Sequence, residues 1–194
     1  MLLDCRAGPA KGAFRGKLMP VVHVCPWAEL KAVAGRVRPS HVVSLLDPED
    51  WPETPAGVPA ERHHRVGVYD YAERVPGLVV PEEDHVRGLI DFLRGWDART
   101  PILIHCWAGI SRSTATALIA LSLHNPGRER QAAAAIRLQS PIASPNRRII
   151  QLADGLLGLD GRLIDAVVEM GPPRSSWVNQ PFEVPVDLWG EKAL

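Results

Sequence analysis

The sequence predicts an α/β domain: a central, mostly parallel sheet flanked by helices, with a helical C-terminal third. Three observations predict it. Short apolar or β-branched runs alternate with helix-like segments along the first two thirds of the chain, the order expected of strand–helix–strand units. One of these runs, HVVSLL at 41–46, is continuously apolar in character, as in a strand buried on both faces. At HCWAGISRST, residues 105–114, a strand-like segment passes directly into a helix-like one, and open α/β sheets place their ligand sites at such junctions.

The elements follow in order. VVHV (21–24) is short and β-branched, a strand. Pro26 opens the helical segment PWAELKAVA, and Gly35 stands past its end, the asymmetry of helix starts and stops. After the strand at 41–46, DPEDWPETPAGVPA is a proline-rich loop. RHHRVGVY (62–69) reads as a strand that runs into the loop DYAERVPGLV. PEEDHVRGLIDFLRGW is a helix whose first turn carries Glu82, Glu83 and Asp84, complementing its dipole. PILIH (101–105) is the next strand, and a helix follows to about His124, ended by Asn125, Pro126 and Gly127. RERQAAAAIRL is a further helix. Ser144 and Pro145 read as cap and first position of NRRIIQLADGLL, and GRLIDAVVEM is a last amphipathic piece. The domain organisation expected is a lead-in over 1–18, one domain over 19–170, and a proline-rich tail over 171–194 that holds Trp177 and Trp189.

Composition narrows the function classes. The chain has 194 residues, which suits one domain. Lys plus Arg and Asp plus Glu both number 22, so no global charge draws the chain to nucleic acid or to an anionic membrane. Three cysteines, Cys5, Cys25 and Cys106, are too few for a disulfide framework and fit a reducing compartment. The N-terminal segment lacks the apolar core of a signal peptide, and no run reaches membrane-span length. The expectation is a cytoplasmic protein. No ligand spacing among the cysteines and seven histidines suggests zinc, and neither a metal nor another cofactor is expected.

The ten residues 105–114 carry the chemistry. Cys106 ends the strand, and Gly109 lets the loop turn and lets backbone approach a ligand closely. The helix opening near Ile110 to Ser113 presents amides without internal partners, which together with the dipole favour an anion. A thiol held over such a site ionises readily. Arg112 adds a planar fork suited to two phosphate oxygens. One loop thus offers a nucleophile and an oxyanion cradle, the requirements for covalent phosphoryl transfer to cysteine.

HCWAGISRST resembles the Cys-x5-Arg-Ser/Thr signature of the cysteine-dependent protein tyrosine phosphatases. It is most similar to the compact, dual-specificity-like branch and its bacterial relatives, with His105, Cys106, Gly109, Arg112 and Ser113 all matching. The resemblance spans about residues 20–160. It implies that Cys106 attacks phosphorus and that Arg112, with the amides of Trp107, Ala108, Gly109, Ile110, Ser111 and Arg112 itself, holds the phosphate oxygens. Ser113 would donate a hydrogen bond that helps the thiolate leave, and His105 would orient the loop and tune Cys106 rather than touch substrate. The family's general acid is an Asp on an upstream loop. Asp70, which ends a strand and opens a loop, is the choice, with Asp84 and Glu73 as runners-up. Asp47 reads as part of an Asp-Pro turn.

Other readings are weaker. A serine-hydrolase elbow would need a second glycine after Ser111, and a Walker loop needs Gly-Lys-Ser/Thr. A rhodanese-like sulfur transferase also uses a loop cysteine, but Arg112 at the sixth position fits phosphate better. His63 and His64 read as a solvated or edge-strand pair. Trp107 either walls the pocket or packs outward, and the other tryptophans read as core. Asn146 and Arg147 read as capping and solvent-facing before they read as pocket residues. A protective disulfide between Cys25 and an oxidised Cys106 is a further reading, but nothing in the sequence places them together. The function expected is protein-tyrosine phosphatase acting on a phosphorylated protein or peptide. The alternatives are a phosphoinositide or inositol phosphate phosphatase, and an inactive phosphopeptide-binding module. The loop residues Trp107, Ala108 and Ile110 add no basic charge, which ranks the inositide reading second.

Overall fold

The computed structural model describes residues 20–188. The expected lead-in, Cys5 and Trp189 lie outside the described residues. Among the described residues five strands form one sheet: β1 (Val21–Pro26), β2 (His41–Leu46), β3 (His63–Gly67), β4 (Ile102–Cys106) and β5 (Phe182–Pro185). Their order is β3-β2-β4-β1-β5. The first four are mutually parallel, and β5 pairs antiparallel with β1. The α/β class with a mostly parallel sheet is therefore the observed one.

Among the described residues six α-helices accompany the sheet: α1 (Leu30–Val37), α2 (Glu83–Gly95), α3 (Arg112–His124), α4 (Glu129–Gln139), α5 (Arg147–Leu157) and α6 (Arg162–Glu169). Alternation along the strands divides two apolar clusters. Val22, Val24, Val43, Leu45, Ile102, Ile104 and Cys106 face α2 to α6 in the larger cluster. Cys25, Val42 and Leu103 face α1 in the smaller one, with Leu30, Val33 and Ala34. Helix α3 lies at the centre of the larger layer, and its residues from Arg112 to Ser122 are all buried. That accounts for its alanine-rich composition: small side chains let it sit close against β1 and β4.

Several boundaries differ from the sequence reading. Helix α1 runs through Gly35 to Val37 and ends at Arg38, which adopts φ 48°. A single turn (Trp27–Glu29) precedes it, so the proline starts a tight turn rather than the α-helix itself. Helix α5 is capped by Asn146, not Ser144, because the Asn146 side chain accepts from the amides of Arg148 and Ile149. The segment expected as a tail, 171–194, contributes β5 to the sheet in its described part. Pro185 is tolerated there because β5 is an edge strand. Among the described residues, no helix is long and apolar enough to cross a membrane.

Candidate active site

Strand β4 ends at Cys106 and α3 begins at Arg112, so residues 107–111 bridge them at the C-terminal end of the parallel strands. All five carbonyls of this bridge are tied to the surrounding scaffold. Trp107 O accepts from Trp27 N at 3.2 Å, and Ala108 O from Asn179 N at 2.9 Å. Gly109 O accepts from Asn179 Nδ2 at 2.8 Å. Ile110 O accepts from Ser144 N at 2.9 Å, and Ser111 O from Ala115 N at 3.0 Å and Asn146 N at 3.2 Å. A trans peptide holds its N–H opposite its C=O. The amides of Ala108 to Arg112 therefore point away from those partners, to the inner side of the loop. Gly109 adopts φ 71°, and a Cβ there would lie 2.9 Å from Pro26 N and 3.0 Å from the Cys25 carbonyl carbon. Only glycine meets both demands.

Cys106 is buried, and its Sγ lies 3.1 Å from Ser113 Oγ on the first turn of α3. The Arg112 guanidinium is also buried, at 3 % exposure. Its Nη1 donates to Asp47 Oδ1 at 2.7 Å and to Val68 O at 2.6 Å. These bonds lock the fork from the β2 and β3 ends. Among the described residues Nε keeps no hydrogen-bond partner despite its burial, although Asp70 Oδ2 stands 4.0 Å away. A buried guanidinium N–H without a partner is costly, and here it is the edge that remains for an anion.

Asp70 sits beside this loop. Its Oδ1 accepts from Ser111 Oγ and from Asn146 Nδ2, both at 2.7 Å. Among the described residues Oδ2 makes no hydrogen bond. The runners-up stand elsewhere. Asp84 lies in the exposed first turn of α2, and Glu73 is exposed on the loop after β3.

His105 points to the opposite face of the sheet from Cys106. Its Nε2 lies 2.6 Å from Ser44 Oγ, which in turn lies 2.7 Å from His63 Nε2. Burial, reinforced by His63 and Arg112 against the Cys106 backbone, brings the His105 imidazole down to about 3. Burial, with Arg65 and His64, brings His63 down to about 4. The solvated reading of the pair 63–64 therefore fails: β3 is the edge strand, but His63 is inside the network and His64 stacks on Phe92. Trp107 is 55 % exposed, meets Trp27 edge-on at 5.8 Å, and donates from Nε1 to Asp50 Oδ2 at 3.0 Å. Of the other described tryptophans Trp96 is core, Trp27 packs partly buried against the smaller cluster, and Trp51 and Trp177 are exposed. Cys25 pairs in register with His105 on neighbouring strands, and burial above all pushes its thiol up to about 12.

Two residues of this arrangement, Asp47 and Asn179, were not identified from the sequence as part of the site, and a third, Asn146, was read as a cap before a pocket residue. Asp47 is the carboxylate partner of Arg112, although Asp-Pro reads as a turn. Asn146 does double service, capping α5 through Oδ1 and reaching Asp70 through Nδ2. Asn179 holds two loop carbonyls and also donates to Ser140 Oγ at 2.8 Å. The available signal for Asn146 was its position one residue before a helix-period run. Asn179 carried none, since it lies 70 residues beyond the carbonyl it holds.

No protein-family model matches the chain, and no curated protein matches it. Solved structures do. That of DUSP15 superposes with a TM-score of 0.55 at 24% identity, covering 79% of this chain and 92% of that one. Human DUSP28 gives a TM-score of 0.54 at 16% identity, covering 71% and 94%. A human tyrosine phosphatase-like serine/threonine/tyrosine-interacting protein gives 0.56 at 16% identity, covering 72% and 92%. The chain thus has the fold of the cysteine-dependent protein tyrosine phosphatase superfamily, in its compact dual-specificity-like form.

Proposed function

We propose that the chain is a phosphatase that hydrolyses phosphomonoesters, phosphotyrosine in proteins foremost, through a phosphocysteine intermediate on Cys106. The observation that carries this reading is the loop itself: five successive carbonyls held outward beside a buried thiol and a buried, half-unpartnered guanidinium. Such a cradle supplies preorganised donors for the equatorial oxygens of a phosphoryl group. The Cys106 thiolate forms an S–P bond as the P–O bond to the leaving group breaks. Asp70 gives its proton to the departing oxygen, from Oδ2, since Oδ1 is already occupied by two donors. Water then attacks phosphorus, Asp70 takes a proton from that water, and the S–P bond breaks to release inorganic phosphate. Ser113 Oγ–H donates to the sulfur as it regains negative charge. Asp47 and Val68 hold Arg112 in the plane this requires.

The rim supports a phosphoprotein over a phosphoinositide. Asp50 holds the Trp107 indole, and Glu49 accepts from the Tyr69 hydroxyl at 3.0 Å. Together with Asp47 they place carboxylates beside the loop, which disfavours a polyanionic headgroup. The test compares phosphotyrosine peptides, phosphoserine peptides and phosphoinositides by kcat/KM in the native protein and in Cys106→Ser. The reading requires phosphotyrosine peptides to lead and Cys106→Ser to bind them without turnover. Preferred cleavage of phosphoinositides supports the inositide alternative. Binding of phosphopeptide without hydrolysis by the native protein supports the inactive module.

A further inference from the structure

The α1-facing side of the sheet carries a line of polar side chains that the reaction above does not use. Strand pairing sets Ser44 beside His105 and Arg65 beside Ser44. His63, two residues before Arg65, shares their face. His63 Nδ1 lies 3.1 Å from Thr54 Oγ1, and Arg65 Nη2 donates to that same oxygen at 2.7 Å. Arg65 Nε donates to Pro52 O at 3.1 Å, and the guanidinium lies over the Trp51 ring at 5.9 Å. With the two short bonds of Ser44, these contacts join the Arg65 guanidinium to the ring next to Cys106.

The ends of this line fix its direction. Arginine only donates, so Thr54 Oγ1 accepts at that end and its own hydrogen is left to point at His63 Nδ1. A neutral imidazole that accepts at Nδ1 donates at Nε2, which makes Ser44 Oγ the acceptor there. The single Ser44 hydrogen then goes to His105 Nε2, and the His105 proton sits on Nδ1. At the far end His105 Nδ1 is buried and makes no hydrogen bond among the described residues, but the neighbouring Cys106 backbone raises the proton affinity of the ring, which favours the same placement. Both histidines being held neutral by burial agrees with one proton per ring.

We propose that Arg65, Thr54, His63, Ser44 and His105 form a one-way hydrogen-bond chain whose donor end is directed at the Cys106 loop, making Thr54, His63 and Arg65 positioning residues for the nucleophile. The proposal rests on the reading of Cys106 as that nucleophile. Dipoles aligned head to tail polarise one another, and a chain begun by a permanent cation stabilises negative charge at its far end. Other groups bear on the same sulfur: Cys25 of β1, on the same α1-facing side as the chain, and, from the opposite side, Arg112 and Ser113 of α3, with Asp47 and Asp70 through Arg112. The chain acts in addition to them and from the other side of the sheet.

The test follows alkylation of Cys106 by iodoacetamide across pH in the full chain, read on the Cys106 peptide by mass spectrometry. Thr54→Val removes the hydroxyl at nearly constant shape, Thr54→Ser restores it, and Arg65→Met breaks the chain at its cation. The alkylation midpoint is expected to rise by about half a pH unit in Thr54→Val and in Arg65→Met, and to return to the native value in Thr54→Ser. Circular dichroism checks that each variant is folded; should Thr54→Val unfold, Arg65→Met on the partly exposed edge decides. Native midpoints in both breaking variants, or a Thr54→Ser midpoint displaced as far as that of Thr54→Val, overturn the proposal. Shifted midpoints in a protein that hydrolyses no phosphoester would uphold the chain and refute the phosphatase reading.

Discussion

Asn146 Nδ2 donates to Asp70 Oδ1 across 2.7 Å while Asn146 Oδ1 caps α5. One amide therefore couples the start of a helix to the placement of the proposed acid. The two services can be separated. Asn146→Asp keeps a capping carboxylate but loses the donor and faces Asp70 with like charge. Its melting temperature should stay near native while turnover falls for substrates with poor leaving groups. Asn146→Ala should lose both, with stability lower by about 1 kcal/mol for the missing cap. Asp70→Asn should slow poor leaving groups far more than good ones. Equal slowing for all leaving groups would move the acid elsewhere.

Gly109→Ala tests the close approach of the loop to β1. An alanine must hold φ 71° and also move away from Pro26 N and the Cys25 carbonyl carbon. Strain of about 1–3 kcal/mol is expected, visible as a lower midpoint in urea. Because the loop moves with Gly109, turnover should fall as well. A variant with native stability and native kcat/KM would show that the loop does not need this contact.

Asn179→Ala removes the donor of Gly109 O and leaves that buried carbonyl and Ser140 Oγ unpaired. The expected cost is about 1–3 kcal/mol. Affinity for inorganic phosphate should drop with it, measured as the inhibition constant against an aryl phosphate. Loss of stability with unchanged phosphate affinity would mean that Asn179 supports the fold but not the cradle.

The buried histidines predict the pH dependence of stability. His63 is held down at about 4 and His105 at about 3 in the folded chain, against about 6.5 when exposed. Below 6.5 the unfolded chain therefore binds protons that the folded chain refuses. Stability is full above about 6.5 and falls as pH drops through the window from 6.5 toward 4 and 3. Each of the two protons contributes a slope of up to about 1.4 kcal/mol per pH unit. Urea unfolding between pH 4 and 7.5 checks this, and His63→Gln should flatten the slope. A native protein equally stable at both ends of the range would contradict the burial of both rings.

How much was legible in the sequence follows from what each feature depends on. Strand β2 matches the run read from HVVSLL because both of its faces are covered and the composition records that. The loop from Cys106 to Arg112 was legible because its chemistry is local: nucleophile, turn and fork lie within seven residues. Asp70 was chosen through a family resemblance, and the structure sets it against Ser111 and Asn146. Strand β5 was missed because FEVP is short and flanked by proline; pairing with β1, not propensity, makes it a strand. Asp47 was missed for a similar reason. Its partner Arg112 lies 65 residues away, and no local pattern marks a side chain whose role is set by the meeting of a strand end and a helix start.

The measurement that tests the central claim most directly is trapping of the covalent intermediate. Asp70→Asn, mixed with p-nitrophenyl phosphate and quenched in acid, is digested and its peptides are weighed. With a good leaving group the first step needs little acid, while the second step loses its base, so the intermediate should accumulate. The account predicts phosphate on the peptide containing Cys106 and none in the Cys106→Ser, Asp70→Asn double variant. Phosphate on any other residue, or native-like turnover by Cys106→Ser, would contradict it.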